Sequence, residues 1–246
     1  MKTYNYTNPT KPAKFLIFVN YAFIVSLILS FLACINETIF FNSVLNGILS
    51  SEEEIMADAC FSDLLTKTSY SIYIFIYIPS IIIFYVWQYR AAANAQYMGI
   101  PYIDQKPHWG FWNYIIPFWC LYKPYKFMKQ LWNCTEHFNN TKSYSSWKDL
   151  PAPLCIKIWW GTFLISGLLN RISQRWAMLL DKNPDAPIES YISINHLDLL
   201  GFTFLIVCTI SEIIIIRGIM NRQIECFKNA NNSQSDVNVL SENTIN

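Results

Sequence analysis

The chain has 246 residues and a formal net charge of +1, with 53% hydrophobic, 17% aromatic and only 14% charged residues. Ordinary soluble domains carry roughly a quarter charged residues, so this composition argues against one and favours a membrane protein. The near-neutral charge gives no sign of a nucleic-acid partner. The 7 cysteines and 3 histidines show no ligand spacing, so we expect no metal and no cofactor.

Four apolar segments approach the roughly 20 residues that a membrane span needs. They are residues 15–35, 70–89, 154–170 and 197–217. The first is longer than the apolar core of a typical cleaved signal, so we interpret it as a retained span. The second contains Pro79, which membrane helices tolerate, and the third is short, with Lys157 near its start. The sequence predicts an all-α integral membrane bundle of four transmembrane helices, occupying residues 15–218.

Basic residues are distributed unevenly between the connecting segments. Thirteen of the 18 Lys and Arg residues precede the first span, lie between the second and third, or follow the fourth. The segment between the first two spans is acidic, with only Lys67 opposing six carboxylates. Because cytoplasmic loops are rich in Lys and Arg, we expect residues 1–14 and 219–246 to be cytoplasmic, although Arg171 and Arg175 argue weakly against this. Residues 219–246 include a polar tail that we expect to be disordered.

Residues 109–135, which begin "WGFWNYIIPFWCLYKPYKFMKQLW", are too apolar for an ordinary loop and too basic for a span. A fifth span over residues 109–122 would be only 14 residues long, with Pro117 inside it, and would move five lysines to the outer side. Trp and Tyr prefer the headgroup zone of a bilayer. We therefore predict a cytoplasmic interfacial or re-entrant segment between the second and third spans, starting at Trp109.

The second half of this segment has a helical pattern. Pro124 suits the first turn of a helix, and Trp132 lies four residues after Met128, as Leu131 does after Phe127. Three lysines follow on a neighbouring face: Lys123, Lys126 and Lys129. One interpretation is an amphipathic helix that binds anionic lipid headgroups. The other is a helix packed against the bundle with its lysines in solvent, and the two are compatible.

Three blocks carry a family resemblance: "VWQYRAAANAQYMG" (residues 86–99), the segment at 109–132, and "WWGTFLISGLLNRIS" (159–173). Over about residues 70–218 the chain resembles the bacterial membrane proteins catalogued as domain of unknown function 4328. The matching positions are Trp87, Arg90, Asn94, Gly99, Trp109, Pro117, Pro124, Tyr125, Trp132, Trp159 and Trp160. The chain departs from the pattern at Tyr122–Lys123. The resemblance implies a multi-pass protein of the bacterial inner or plasma membrane, and it implies no activity.

Several polar residues are candidates for function. Arg90 and Asn94 lie one turn apart after the second span, where they could bind a headgroup or anchor the Trp109 segment. A stop charge explains Arg90 alone but leaves Asn94 unexplained. On the third span, Thr162, Ser166 and Asn170 form a ridge that predicts helix packing, with a polar pathway as the alternative. A stripe on the second span, which we also expect to pack, comprises Tyr70, Tyr73, Tyr77 and Phe84.

Glu212 lies inside the fourth apolar run, where an ionised carboxylate is costly unless it is paired. Lys157 enters the third span from the same side at a similar depth. We therefore predict a Glu212–Lys157 contact in the bundle interior, with Arg90 as the substitute partner. The alternative is that Glu212 extends to the interface.

No catalytic motif is present in the sequence, so we do not expect an enzyme. The favoured function is a membrane protein that binds lipid or a partner and acts in regulation. The alternative is a small transporter or channel that uses Glu212, Asn170 and the tyrosine stripe. The expected partners are the lipid bilayer, anionic lipid headgroups, and a protein partner or a second copy of the chain.

Overall fold

The computed structural model describes residues 5–98, 106–140, 150–183 and 185–243. Within these ranges the chain is all helical, with no strand, which confirms the predicted class. The elements are α1 (Thr10–Leu45), α2 (Glu52–Tyr97), α3 (Trp109–Ile115), a 3₁₀ turn (Trp119–Leu121), α4 (Lys123–Asn140), α5 (Leu154–Leu180) and α6 (Ile188–Asn243).

Among the described helices, α1, α2 and α6 are long and apolar enough to cross a membrane. They contain the first, second and fourth predicted spans. Helix α5 contains the third, but it does not join them, because Lys157 near its start and Arg171 and Arg175 further along shorten its apolar stretch. The described part of the chain therefore supports three candidate spans, one fewer than predicted.

Local sequence signals explain where α2 begins. The Ser51 hydroxyl accepts a hydrogen bond from the Glu54 backbone N–H at 3.2 Å, as expected for the first half of a capping box. Three glutamates at 52–54 occupy the first turn, where negative charge suits the helix dipole. Gly47, with φ +67°, supplies the left-handed residue after α1. Helix α2 then continues through Pro79.

Helix α6 continues to Asn243, so the structure differs from the expectation of a disordered tail after residue 218. The polar composition of the tail suggested disorder. However, the chain contains no proline or glycine between residues 219 and 243, and nothing in its local chemistry ends the helix.

The chain forms two compact units, and α1, α2, α5 and α6 contribute residues to both. The second unit comprises Phe18–Ser80 and Ile158–Ser211. Its core contains Phe23, Leu27 and Tyr73, and the ring of Tyr73 stacks on that of Tyr77 with centroids 5.5 Å apart. Of the predicted stripe on α2, Tyr73 and Tyr77 pack in this unit, whereas Tyr70 is exposed and Phe84 is buried in the first unit.

The first unit comprises Met1–Ile17, Ile81–Lys157 and Glu212–Asn246. Its core contains residues of α2, α4 and α6, together with Leu16 of α1 and Ile156 of α5. The largest fully buried side chains of this unit include Trp87, Phe127, Met128, Ile215 and Ile219. This unit contains the predicted interfacial segment, and the candidate site lies in it.

Candidate functional site

Helix α4 presents two different faces. Pro124 is its second residue, which confirms the predicted helix start. Phe127, Met128 and Leu131 are fully buried, so the apolar face packs against the rest of the unit as the second interpretation predicted. Lys123, Lys126 and Lys129 stay partly exposed. The apolar face of α4 is therefore covered, whereas its lysine face remains partly in contact with solvent.

Trp132 holds α4 against α6. A Cβ on Gly218 would lie 2.6 Å from two atoms of the Trp132 six-membered ring, so only glycine allows this approach. The Trp132 indole N–H donates a hydrogen bond to Glu136 at 3.0 Å. The Arg222 guanidinium lies 3.9 Å from the ring centroid, a cation–π contact, and 3.7 Å from the Glu136 carboxylate. The indole is therefore fixed on its edge and on its face.

Helix α3 is held on α2 by its inner face. Gly110 and Asn113 are buried, and a Cβ on Gly110 would lie 3.1 Å from the Gln88 side-chain oxygen. The Tyr114 ring meets that of Tyr85 edge-on, with centroids 5.2 Å apart. Because the inner face is occupied in this way, the bulky residues on the other face of α3 point away from the unit.

The outer face of α3 and the 3₁₀ turn form one apolar surface, which we name the aromatic surface. Its members are Phe111, Trp112, Ile115, Phe118, Trp119, Leu121 and Tyr122, all exposed. Phe118 is the most exposed, at 85%, and it has φ +63°, the only non-glycine residue with positive φ in the described part of the chain. A bulky residue at positive φ raises the free energy of the folded chain, so the surrounding structure must hold the backbone in this conformation.

The predicted residues of this segment border the aromatic surface. Trp109 is half-buried, with its ring 5.7 Å from that of Trp119. Pro117 is exposed between α3 and the 3₁₀ turn. The Lys123 ammonium lies 5.2 Å from the centroid of the Trp119 ring, so the lysine face of α4 begins where the aromatic surface ends.

Asn94 and Arg90 have different environments. Arg90 is exposed, in keeping with a charge at the end of a span. Asn94 is fully buried and bonds the main chain of Thr7 and the side chain of Gln223. Asn94 therefore anchors the segment before α1, and not the Trp109 segment as one interpretation suggested.

The predicted Glu212–Lys157 contact stays a prediction. Lys157 is exposed, as is the substitute Arg90, whereas Glu212 is half-buried. Asn170 is also exposed and accepts a hydrogen bond from Gln174 on its own helix at 3.3 Å. Of the predicted ridge on α5, Ser166 is buried.

The cysteine and metal chemistry of the site is limited. Cys134 on α4 is buried, and desolvation by that burial, followed by the nearby Cys226, raises the pKa of its thiol above the ordinary range. Cys134 therefore remains a protonated, unreactive thiol at neutral pH. Among the described residues, no group of three or more His, Cys, Asp or Glu side chains could hold a metal ion.

Sequence reasoning missed Gly218 and Gln223. Both residues act through contacts with helices that are distant in sequence. The sequence offered one signal for Gly218, which is that the chain contains only 7 glycines.

A family model described as a domain of unknown function (DUF4328) matches residues 52–221, and the chain belongs to this family. The match extends from the start of α2 into α6 and includes α3, α4, Asn94 and Gly218. No curated protein and no solved structure matches the chain.

Proposed function

We propose that this DUF4328 protein is a four-span integral membrane protein that binds anionic lipid of the cytoplasmic leaflet in a regulatory role. The aromatic surface enters the leaflet, and Lys123, Lys126 and Lys129 bind the lipid phosphates. One observation carries this proposal: an exposed apolar surface adjoins a row of lysines, on elements whose other faces are already buried.

The apolar part of the surface favours a bilayer over water. Burying one large apolar side chain stabilises by about 1.5–3 kcal/mol, and seven such side chains are exposed together here. Contiguous apolar patches of this kind mark interaction sites. Trp and Tyr among them match the composition of the interfacial belt, where a ring lies in the apolar region and its polar edge reaches water.

The positive φ of Phe118 supports the same function. The residue carries backbone strain and also directs a large ring outward, where nothing in its own unit covers more than a small part of it. Strained residues persist where the surrounding structure imposes them, often at functional positions. A ring held outward before lipid binding loses little conformational freedom when the bilayer covers it.

The basic part of the surface selects the headgroup charge. Each lysine near an anionic leaflet contributes about 1 kcal/mol of attraction. Lysine also extends its ammonium towards phosphates while its aliphatic chain remains beside apolar neighbours. The Lys123 ammonium lies beside Trp119, at the border between ring and headgroup that this model requires.

The proposed topology has spans at about residues 15–35, 70–89, 154–170 and 197–217, with α5 as the third span and both termini in the cytoplasm of a bacterial cell. The basic residues support it, since 13 of 18 then lie on the cytoplasmic side. Lys157 near the start of α5 is exposed, so its side chain is able to extend to the interface.

Reporter fusions test this topology. Fusions after Lys14, Lys142 and Lys228 are expected to report the cytoplasm, and fusions near Asp58 and Asp185 the opposite side, because of the lysine asymmetry. The measurement is paired alkaline phosphatase and fluorescent-protein activity at each site. An external signal at Lys142 would contradict both the four-span topology and the interfacial placement of the aromatic surface.

A further inference from the structure

The segment before α1 is bound to the first unit by main-chain recognition. We name residues 5–9 the N-terminal strap. The Thr7 backbone N–H donates to the Asn94 side-chain oxygen at 3.0 Å, and the Asn94 side-chain amide donates to the Thr7 carbonyl at 2.8 Å. One carboxamide thus satisfies both polar groups of one peptide residue. The Thr7 hydroxyl also donates to the same oxygen, at the longer distance of 3.4 Å, so this contact is weaker.

Gln223 fixes the orientation of Asn94. The Asn94 amide also donates to the Gln223 side-chain oxygen at 3.4 Å, and the Gln223 amide donates to the Ala91 carbonyl at 2.6 Å. Asn94 and Gln223 are both fully buried. This bonding decides which end of the Asn94 carboxamide is donor and which is acceptor. The site is therefore preorganised by α2 and α6 to pair with an extended backbone.

An aromatic contact adjoins the main-chain contact. The Tyr6 ring stacks on Phe227 with centroids 3.7 Å apart and planes 3° from parallel, and it lies 6.1 Å from the ring of Tyr97. Pro9 is buried at the start of α1. Burial, followed by the proximity of Cys226, raises the pKa of the Tyr6 phenol. The site therefore contacts the side-chain ring of Tyr6 and the backbone of Thr7.

We propose that Asn94, Gln223, Tyr97 and Phe227 form a binding site for an extended peptide, and that the N-terminal strap is its resident ligand. The ligand class is an extended segment with an aromatic residue followed by a residue whose N–H and carbonyl are both free. The identity of that second side chain matters little, because Asn94 bonds its backbone. This site is separate from the aromatic surface and does not depend on lipid binding.

The test uses the full chain with its own strap disabled. Tyr6→Ala with Thr7→Pro removes the stacking ring and the donor N–H but leaves all four site residues intact. A fluorescent peptide copying residues 1–10 is then titrated in detergent solution and followed by anisotropy. The strap-disabled chain is expected to bind the peptide, and the natural chain at least about tenfold more weakly, since a tethered ligand competes at a millimolar effective concentration.

Two matched comparisons identify the contacts. Methylating the Thr7 nitrogen of the peptide is expected to weaken binding about tenfold, the effect of losing one buried hydrogen bond, whereas a Thr7→Ala peptide is expected to bind as well as the original. On the protein, Asn94→Leu in the strap-disabled chain is expected to abolish binding. Gln88→Leu, at another buried carboxamide on α2, is expected to leave it unchanged.

The peptide comparison decides the proposal even if Asn94→Leu fails to fold, because it changes no residue of the protein. No binding of the original peptide to the strap-disabled chain would overturn the proposal. Equal binding of the original and N-methylated peptides would overturn it as well, since it would show that Asn94 does not read the backbone.

Discussion

Replacing Gly218 with alanine is expected to destabilise the protein. The new Cβ would lie 2.6 Å from two carbon atoms of Trp132, well inside the normal contact distance of about 3.5–4.0 Å. The indole cannot move away freely, because its N–H bonds Glu136 and the Arg222 guanidinium covers its face. Overpacking of this kind costs about 1–3 kcal/mol, partly offset by a gain of about 1 kcal/mol in helix propensity. Thermal unfolding in detergent measures the difference.

Gly161 and Gly167 on α5 provide matched controls. A Cβ at either position would meet no atom within 4 Å, and both glycines lie inside a helix. Alanine at these positions is therefore expected to leave stability unchanged or to raise it by up to about 1 kcal/mol. The opposite signs at Gly218 and Gly161 would separate the steric contact from the general effect of alanine in a helix.

A second substitution identifies the contact that Gly218→Ala disturbs. Trp132→Phe removes the six-membered ring of the indole that the new Cβ would strike. Trp132→Phe is expected to destabilise the natural chain, because packing is lost. In the Gly218→Ala chain the same change is expected to lower the stability less, or not at all. Additive losses from the two changes would contradict the close approach of α4 and α6 at this point.

Replacing Lys123, Lys126 and Lys129 together with glutamine is expected to weaken binding of anionic lipid strongly. At about 1 kcal/mol per lysine the loss is about 3 kcal/mol, or roughly a hundredfold in affinity. Zwitterionic lipid is expected to bind the variant as before, because the aromatic surface is unchanged. Native mass spectrometry with graded additions of phosphatidylglycerol and phosphatidylcholine measures both affinities.

The control variant removes the same number of charges elsewhere. Arg171, Arg175 and Lys182 are exposed and belong to the other unit, so their replacement by glutamine is expected to change phosphatidylglycerol binding little. An equal loss in both triple variants would show that net charge alone governs binding. Unchanged binding in the first variant would leave α4 with a packing role only.

The periodic part of the fold follows from local sequence. A proline in the first turn predicted the start of α4 at Lys123, and the four-residue spacing predicted one apolar face, whose Phe127 and Leu131 are buried. The cap at Ser51 is a local signal of the same kind. Such features depend on residues within one or two helical turns, and the sequence displays them directly.

Contacts between distant helices could not be predicted in this way. The approach of Trp132 to Gly218 and the bonds from Asn94 to Thr7 and Gln223 join positions 86–129 residues apart. The positive φ of Phe118 also has no local sequence signal, since the residue is neither glycine nor asparagine. The resemblance of the central blocks indicated that Asn94 and Trp132 matter, but not what they touch.

The Glu212–Lys157 contact stays a prediction, because the sequence gives only part of what such a contact requires. Helix rise gives the depth of a residue, whereas a contact also requires that the two side chains point towards each other. Successive residues of a helix turn by about 100°, so a matching depth leaves the direction open. Lys157 is exposed and Glu212 is half-buried.

Photocrosslinking from position 118 in a bilayer tests directly whether the aromatic surface enters the cytoplasmic leaflet. Phe118 is replaced by 4-benzoylphenylalanine, a close analogue, in nanodiscs that contain phosphatidylglycerol, and adducts are identified by mass spectrometry. The same analogue at Lys228, an exposed position on the cytoplasmic part of α6 beyond the fourth span in the proposed topology, is the control. If the aromatic surface enters the leaflet, adducts with lipid acyl chains are expected from position 118 and none from position 228. Absence of lipid adducts from position 118 would contradict this placement of the surface.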